Sequence, residues 1–100
     1  MRYLYHATEL KNVKSILANG IKPSVDGVVY MTENPIDCAK FLAIRGIRDI
    51  IVFRVKILKR DEVNIIETFD HNKRIFGFRC FGYMGRIEAD KINKCMMYKI

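Results

Sequence analysis

The segment Asp49-Ile50-Ile51-Val52-Phe53-Arg54-Val55-Lys56-Ile57-Leu58 constrains this chain more than any other. It predicts a strand because it is rich in β-branched residues and alternates in its second half. Phe53, Val55 and Ile57 fall on one face there, and Arg54 and Lys56 on the other. No clean apolar run exceeds the four residues of Ile50-Ile51-Val52-Phe53. Crossing a bilayer as a helix takes about 20 apolar residues, so no membrane helix is expected. The opening residues Met1-Arg2-Tyr3-Leu4-Tyr5-His6 lack the long apolar region of a secretory signal. Cys38, Cys80 and Cys95 are odd in number, widely spaced and without a CxxC pair. They read as small hydrophobes and reduced thiols of a cytoplasmic protein, not as a disulfide framework.

The rest of the chain arranges itself around that strand. At 100 residues it is expected to form a single domain over residues 1–100. Tyr3 to Ala7 is a short β-prone run. Thr8 offers an N-cap hydroxyl and Glu9 a first-turn acid. Leu10, Val13, Ile16 and Leu17 then recur at helical spacing until Gly20 and Pro23 stop them, which predicts a helix over about residues 9–19. Val28 to Met31 reads as a strand after the Asp26-Gly27 turn. Asn34-Pro35 starts a second helix whose apolar side is Cys38, Phe41, Leu42 and Ile44, ended by Gly46. After the long strand come a charged turn at Lys59 to Glu62 and a strand from Val63 to Phe69. An Asp70-His71-Asn72 loop follows. Phe76 to Ile87 is strand-like, with bulges suggested by Gly77, Gly82 and Gly85, and the last strand runs from Lys94 to Ile100. Helices early and strands late give an α+β class.

Charge points to an anionic partner. The net charge is +7, of which +2 falls in residues 1–50 and +5 in residues 51–100. Nucleic acid or a phosphorylated ligand suits that balance. Metal chemistry is not supported, because His6 and His71 form neither HxxxH nor HExxH and no cysteine stands at ligand spacing. Neither a P-loop nor a GxGxxG loop is present.

Two resemblances carry functional content. Arg74-Ile75-Phe76-Gly77-Phe78-Arg79-Cys80-Phe81 resembles the RNP1 signature of RNA-recognition motifs, departing at Ile75 and Arg79. Topology argues against that module. RNP1 and RNP2 are separated by one helix and one strand, whereas two helices and about three strands follow Leu4-Tyr5 here. The second match is sharper. Leu4-Tyr5-His6-Ala7-Thr8, a helix with Val13, Ser15, Ile16 and Leu17, then Gly20-Ile21-Lys22-Pro23 and Val29-Tyr30-Met31-Thr32 resemble the opening of the ADP-ribosyltransferase superfamily. Small bacterial and phage members, DarT-like enzymes and RNA 2′-phosphotransferases, show this order. The likeness covers about residues 3–58. Phe81 to Ile92 looks like a late strand and turn of the family, with Glu88-Ala89 where proline is common.

That resemblance implies a compact split β-sandwich with a cleft between two small sheets and two short helices in the N-terminal half. It implies NAD as the cofactor, bound by His6 through a ribose hydroxyl, by the Ala7 backbone through the carboxamide, and by Tyr30 through ring stacking. It implies transfer of ADP-ribose to a nucleic-acid or protein target. The family's late-strand glutamate is absent, because Gly77, Phe78, Arg79 and Cys80 stand at its place. Glu67 is the first replacement, Asp70 the second and Glu88 the third, with His71 beside Asp70 as a polar partner in the cleft. The same departure supports the alternative of a catalytically inactive nucleotide- or nucleic-acid-binding member.

Overall fold

A computed structural model describes residues 1–68 and 79–99. The expected Asp49–Leu58 strand is there as β3 (Asp49–Ile57), second from one edge of a six-stranded, wholly antiparallel sheet. The other strands are β1 (Arg2–Glu9), β2 (Val28–Thr32), β4 (Ile65–Thr68), β5 (Cys80–Met84) and β6 (Ile92–Lys99), in the order β4-β5-β2-β1-β3-β6. Two helices, α1 (Val13–Asn19) and α2 (Pro35–Ala43), lie on opposite faces. The fold is therefore α+β. The Asp70-His71 pair and most of the RNP1-like segment lie outside the described residues.

The pattern within β3 follows from those two helices. One face carries Leu4, Val29, Met31, Phe53, Val55, Phe81 and Tyr83, and packs with Ile16 of α1 and with Ile21 and Ile87. The other face packs Ile50 and Val52 against Cys38 and Ala39 of α2, with Tyr5, Ala7, Met96 and Tyr98 around them. Residues 50–53 are apolar on both sides because both sides are covered. The alternation begins at Arg54 because α2 covers no further. A nine-residue helix spans about 13 Å, while a nine-residue strand spans about 30 Å.

Several sequence expectations shift. The first helix does not begin at Glu9. Strand β1 continues through Glu9 and a 3₁₀ turn over Leu10–Asn12 intervenes. Thr8 is consequently a buried strand residue whose hydroxyl accepts from Asn12 Nδ2 at 3.1 Å, not an N-cap. Only Val13 and Ile16 of that apolar series reach the core, while Leu10 and Leu17 face solvent. Asn34 does cap α2, accepting the Ile36 amide at 2.8 Å. Ile44 lies beyond the helix and is exposed, so the buried side is Cys38, Ala39 and Leu42. The charged turn at Lys59 is a 3₁₀ helix through Asn64, and β4 starts later, at Ile65. Gly82 pairs regularly with Tyr30 and Ile66, and the register shift lies instead between Arg54 and Val55 against β6.

The expected two small sheets are one sheet with a weak seam. Strands β1 and β3 are in register from Arg2–Ile57 to Glu9–Ile50, and β2 and β5 from Val28–Met84 to Thr32–Cys80. Between β1 and β2 the register is a single pair, Tyr5 with Thr32. The seam divides β4-β5-β2 from β1-β3-β6.

Candidate functional site

The seam opens a cleft of about 350 Å³ on the α2 side, lined from the strands by His6, Ala7, Tyr30, Met31, Thr32 and Cys80. Cys38, Phe41, Leu42 and Arg45 close it from α2 and the residues just after, and Ser24 from the loop before β2. His6, Ala7 and Tyr30, the residues expected to hold NAD, thus share one cavity.

The central contact is between His6 Nδ1 and the Tyr30 carbonyl, 2.9 Å apart. A carbonyl only accepts, so Nδ1 carries the proton and donates. This bond supplies a partner to a β2 carbonyl at a place where β1 and β2 have parted, where an unpaired carbonyl would be costly. The ring keeps part of its surface open to the cleft, yet it is surrounded enough that burial lowers its pKa below the ordinary 6.5. The bond to Tyr30 opposes that shift and does not cancel it. His6 is therefore neutral near pH 7, with Nε2 left as an acceptor.

A stability prediction follows from that shift. The unfolded chain takes up a proton at His6 near pH 6.5, and the folded chain only at lower pH. Native stability should thus fall as pH drops from about 6.5 to the folded pKa, and His6 contributes no slope well above 6.5. Melting temperatures between pH 7.5 and 5.5 should decline less in His6→Gln than in the parent protein. An equal decline in both would show that His6 is not the group responsible.

Tyr30 is held at its far end. Its hydroxyl donates to Asp26 Oδ2, while Asp26 Oδ1 accepts from the Val28 amide at 3.1 Å. The residue is 39% exposed, although its neighbours Val29 and Met31 are buried. A partly exposed aromatic ring held by a hydrogen bond can serve as a stacking surface. Arg45 brings a positive charge to the cleft, and among the described residues it forms no ion pair. In the sequence Arg45 is one of several arginines able to grip phosphate, with nothing to choose between them; its position just past α2 distinguishes it. Burial pushes the Cys38 thiol up to about 12, so it is no nucleophile, and its Sγ donates to the Pro35 carbonyl at 3.2 Å.

The two expected carboxylates that are described, Glu67 and Glu88, lie outside the cleft lining. Glu67 on β4 does not line the cleft. It holds Arg79 in a two-pronged ion pair, at 3.0 and 2.7 Å, and Arg79 also lies 3.7 Å from Glu33. Glu88 is exposed just before the 3₁₀ turn Ala89–Lys91 and likewise does not line the cleft. Asp70 and His71 fall outside the described residues. Among the described residues no carboxylate lines the cleft, and no group of three or more His, Cys, Asp or Glu is placed to hold a metal. No described helix is long and apolar enough to cross a membrane. Neither a family model nor a curated protein matches the chain.

Proposed function

We propose that the cleft binds NAD and that this is a cytoplasmic protein of ADP-ribosyltransferase-like fold, transferring ADP-ribose to a nucleic-acid or protein target. The observation that carries this reading is the meeting of His6 and Tyr30 at the β1–β2 seam. NAD, when bound, supplies a glycosidic bond between ribose and a cationic nicotinamide. The donor set fits that group. Tyr30 offers a π face to a planar cation. His6 Nε2 can accept from a ribose hydroxyl, because the Tyr30 carbonyl fixes the tautomer. The β1 backbone at Ala7 borders the open seam, where amide and carbonyl groups can pair with a carboxamide. Arg45 can answer a phosphate. A volume of about 350 Å³ is at the lower end for ligand pockets, which suits the nicotinamide-ribose half better than the whole dinucleotide.

In this reading a carboxylate, Glu67 first, then Asp70 with His71 as its polar partner, then Glu88, remains the proposed source of negative charge that stabilises a developing oxocarbenium ion. Glu67 would first have to exchange its Arg79 partner. That engagement is the specific observation favouring a second reading, a nucleotide-binding protein without transfer activity.

Thermal unfolding with NAD tests the first step. At ten times its Kd the ligand should stabilise by about 1.4 kcal/mol, a rise of roughly 6–11 °C for a domain of this size. His6→Ala and Tyr30→Ala should each weaken binding by about 1–2 kcal/mol in calorimetry. Unchanged affinity in both would remove the cleft as the site. Nicotinamide release separates the two readings: release supports transfer, and binding without release with any acceptor supports the inactive protein.

A further inference from the structure

The α2 helix leaves one end of its sheet face bare. Register places Tyr3 opposite Lys56, Tyr5 opposite Arg54, and Arg54 opposite Lys94. Cross-strand partners and every second residue share a face, so Tyr3, Arg54, Lys56 and Lys94 form one contiguous patch on the side that α2 covers further along. The Arg54 guanidinium lies over the Tyr3 ring, 4.3 Å from its centroid. Asn93, at the β6 register shift, accepts from Arg54 Nε at 2.8 Å and again from its Nη2. The guanidinium is thereby held over the ring by Asn93. Lys56, two residues along β3, and Lys94, the cross-strand partner of Arg54, are both exposed. Among the described residues none of these three cations forms an ion pair.

An unpaired cluster of three positive charges on a chain of net charge +7 is complementary to a polyanion. The cation–aromatic contact beside the lysines adds a second feature, a π-bearing platform that suits a planar group with an accessible π face. Unstacked bases on a phosphate backbone meet both, whereas a duplex hides its base faces. We propose that this bare end of the sheet docks single-stranded nucleic acid, with a base stacked on the Tyr3–Arg54 platform and phosphates on Lys56 and Lys94. The inference does not rest on the ligand of the cleft.

Fluorescence anisotropy with labelled twenty-nucleotide dT and rU strands, and with a duplex of the same length, tests this. Single strands should bind more tightly than the duplex. The K56E/K94E variant should lose at least tenfold in affinity. Its log affinity against log salt should flatten by about 1.4, because two phosphates are no longer neutralised. Tyr3→Ala should lose about tenfold while keeping the salt slope. K14E/K22E, which changes net charge equally at exposed sites outside the patch, should lose much less. Equal losses in the two double variants would overturn the proposal. So would a duplex bound as tightly as the single strands, or unchanged binding in Tyr3→Ala with an unchanged melting temperature. Lysine variants that lose binding only to phosphatidylserine vesicles would overturn it as well. His6→Ala should leave strand binding intact and K56E/K94E should leave the NAD response intact, so either site can fail without the other.

Discussion

Replacing Asp61 by alanine should destabilise the protein by about 3 kcal/mol. Asp61 is 5% exposed in the 3₁₀ helix Lys59–Asn64. Its Oδ2 accepts from the Leu58 amide at 2.9 Å and from Lys91 Nζ at 2.6 Å. Burial pushes its pKa up, but the Lys91 bond, the Leu58 amide and the charges of Lys91 and Arg60 outweigh burial and hold it below the ordinary 3.8. The substitution removes one partner and leaves the largely buried Lys91 ammonium without its counter-charge. For a domain of this size the melting temperature should fall by roughly 12–24 °C. A fall of under about 3 °C would show that water replaces the pair without penalty. The sign with pH is also fixed. The folded pKa lies below the unfolded one, so the contribution is complete above about pH 4 and disappears as pH falls through 3.8 toward the folded value. Asp61→Asn should lose that acid dependence while keeping the Leu58 cap.

This pair illustrates what the sequence leaves hidden. Lys59 to Glu62 reads as a solvated turn because three of its four residues do face water. Nothing local marks Asp61 as the one that turns inward, since its partner Lys91 is thirty positions away. Local signals serve better where the physics is local. Asn34-Pro35 starts α2, and the alternation in Asp49–Leu58 gives the strand and its faces. The same signals misplace the first helix. Thr8-Glu9 is a good helix start, but pairing of Thr8 with Ile51 and Glu9 with Ile50 extends β1 through both. The long-range ladder outweighs a cap of about 1 kcal/mol.

The site divides in the same way. Motif order singles out His6, Ala7 and Tyr30, and they do share a cavity. Arg45 belongs to no motif and emerges only from where α2 ends. Glu67 carries the right chemistry by composition, yet register puts it opposite Phe81 and beside Arg79. The basic patch is invisible in the sequence for another reason: Tyr3, Arg54, Lys56 and Lys94 belong to three strands, and only their register assembles them.

Gly20→Ala should be nearly as damaging as the loss of Asp61, at about 3 kcal/mol, and Gly27→Ala should isolate the reason. Gly20 ends α1 with φ +84° and ψ −176°, a conformation that is essentially confined to glycine. Its amide donates to the Ile16 carbonyl at 2.8 Å, closing the helix. The next residue, Ile21, forms a two-way bridge with Ile87, with bonds of 2.8 and 3.0 Å that tie the end of α1 to the chain between β5 and β6. A Cβ on Gly20 would overlap the Ile87 carbonyl oxygen and stand 3.2 Å from the Ala89 amide nitrogen. Both are backbone atoms of the bridged segment, so relief means breaking the bridge and loosening two fully buried side chains, Ile21 and Ile87. Gly27 has a similar φ of +81°, but its Cβ would meet nothing within 4 Å. Its replacement therefore carries only the backbone penalty, about 1 kcal/mol. Denaturant titration of the two variants should separate them by about 2 kcal/mol. Equal losses would mean that φ alone sets the cost at Gly20 and that the bridge yields freely.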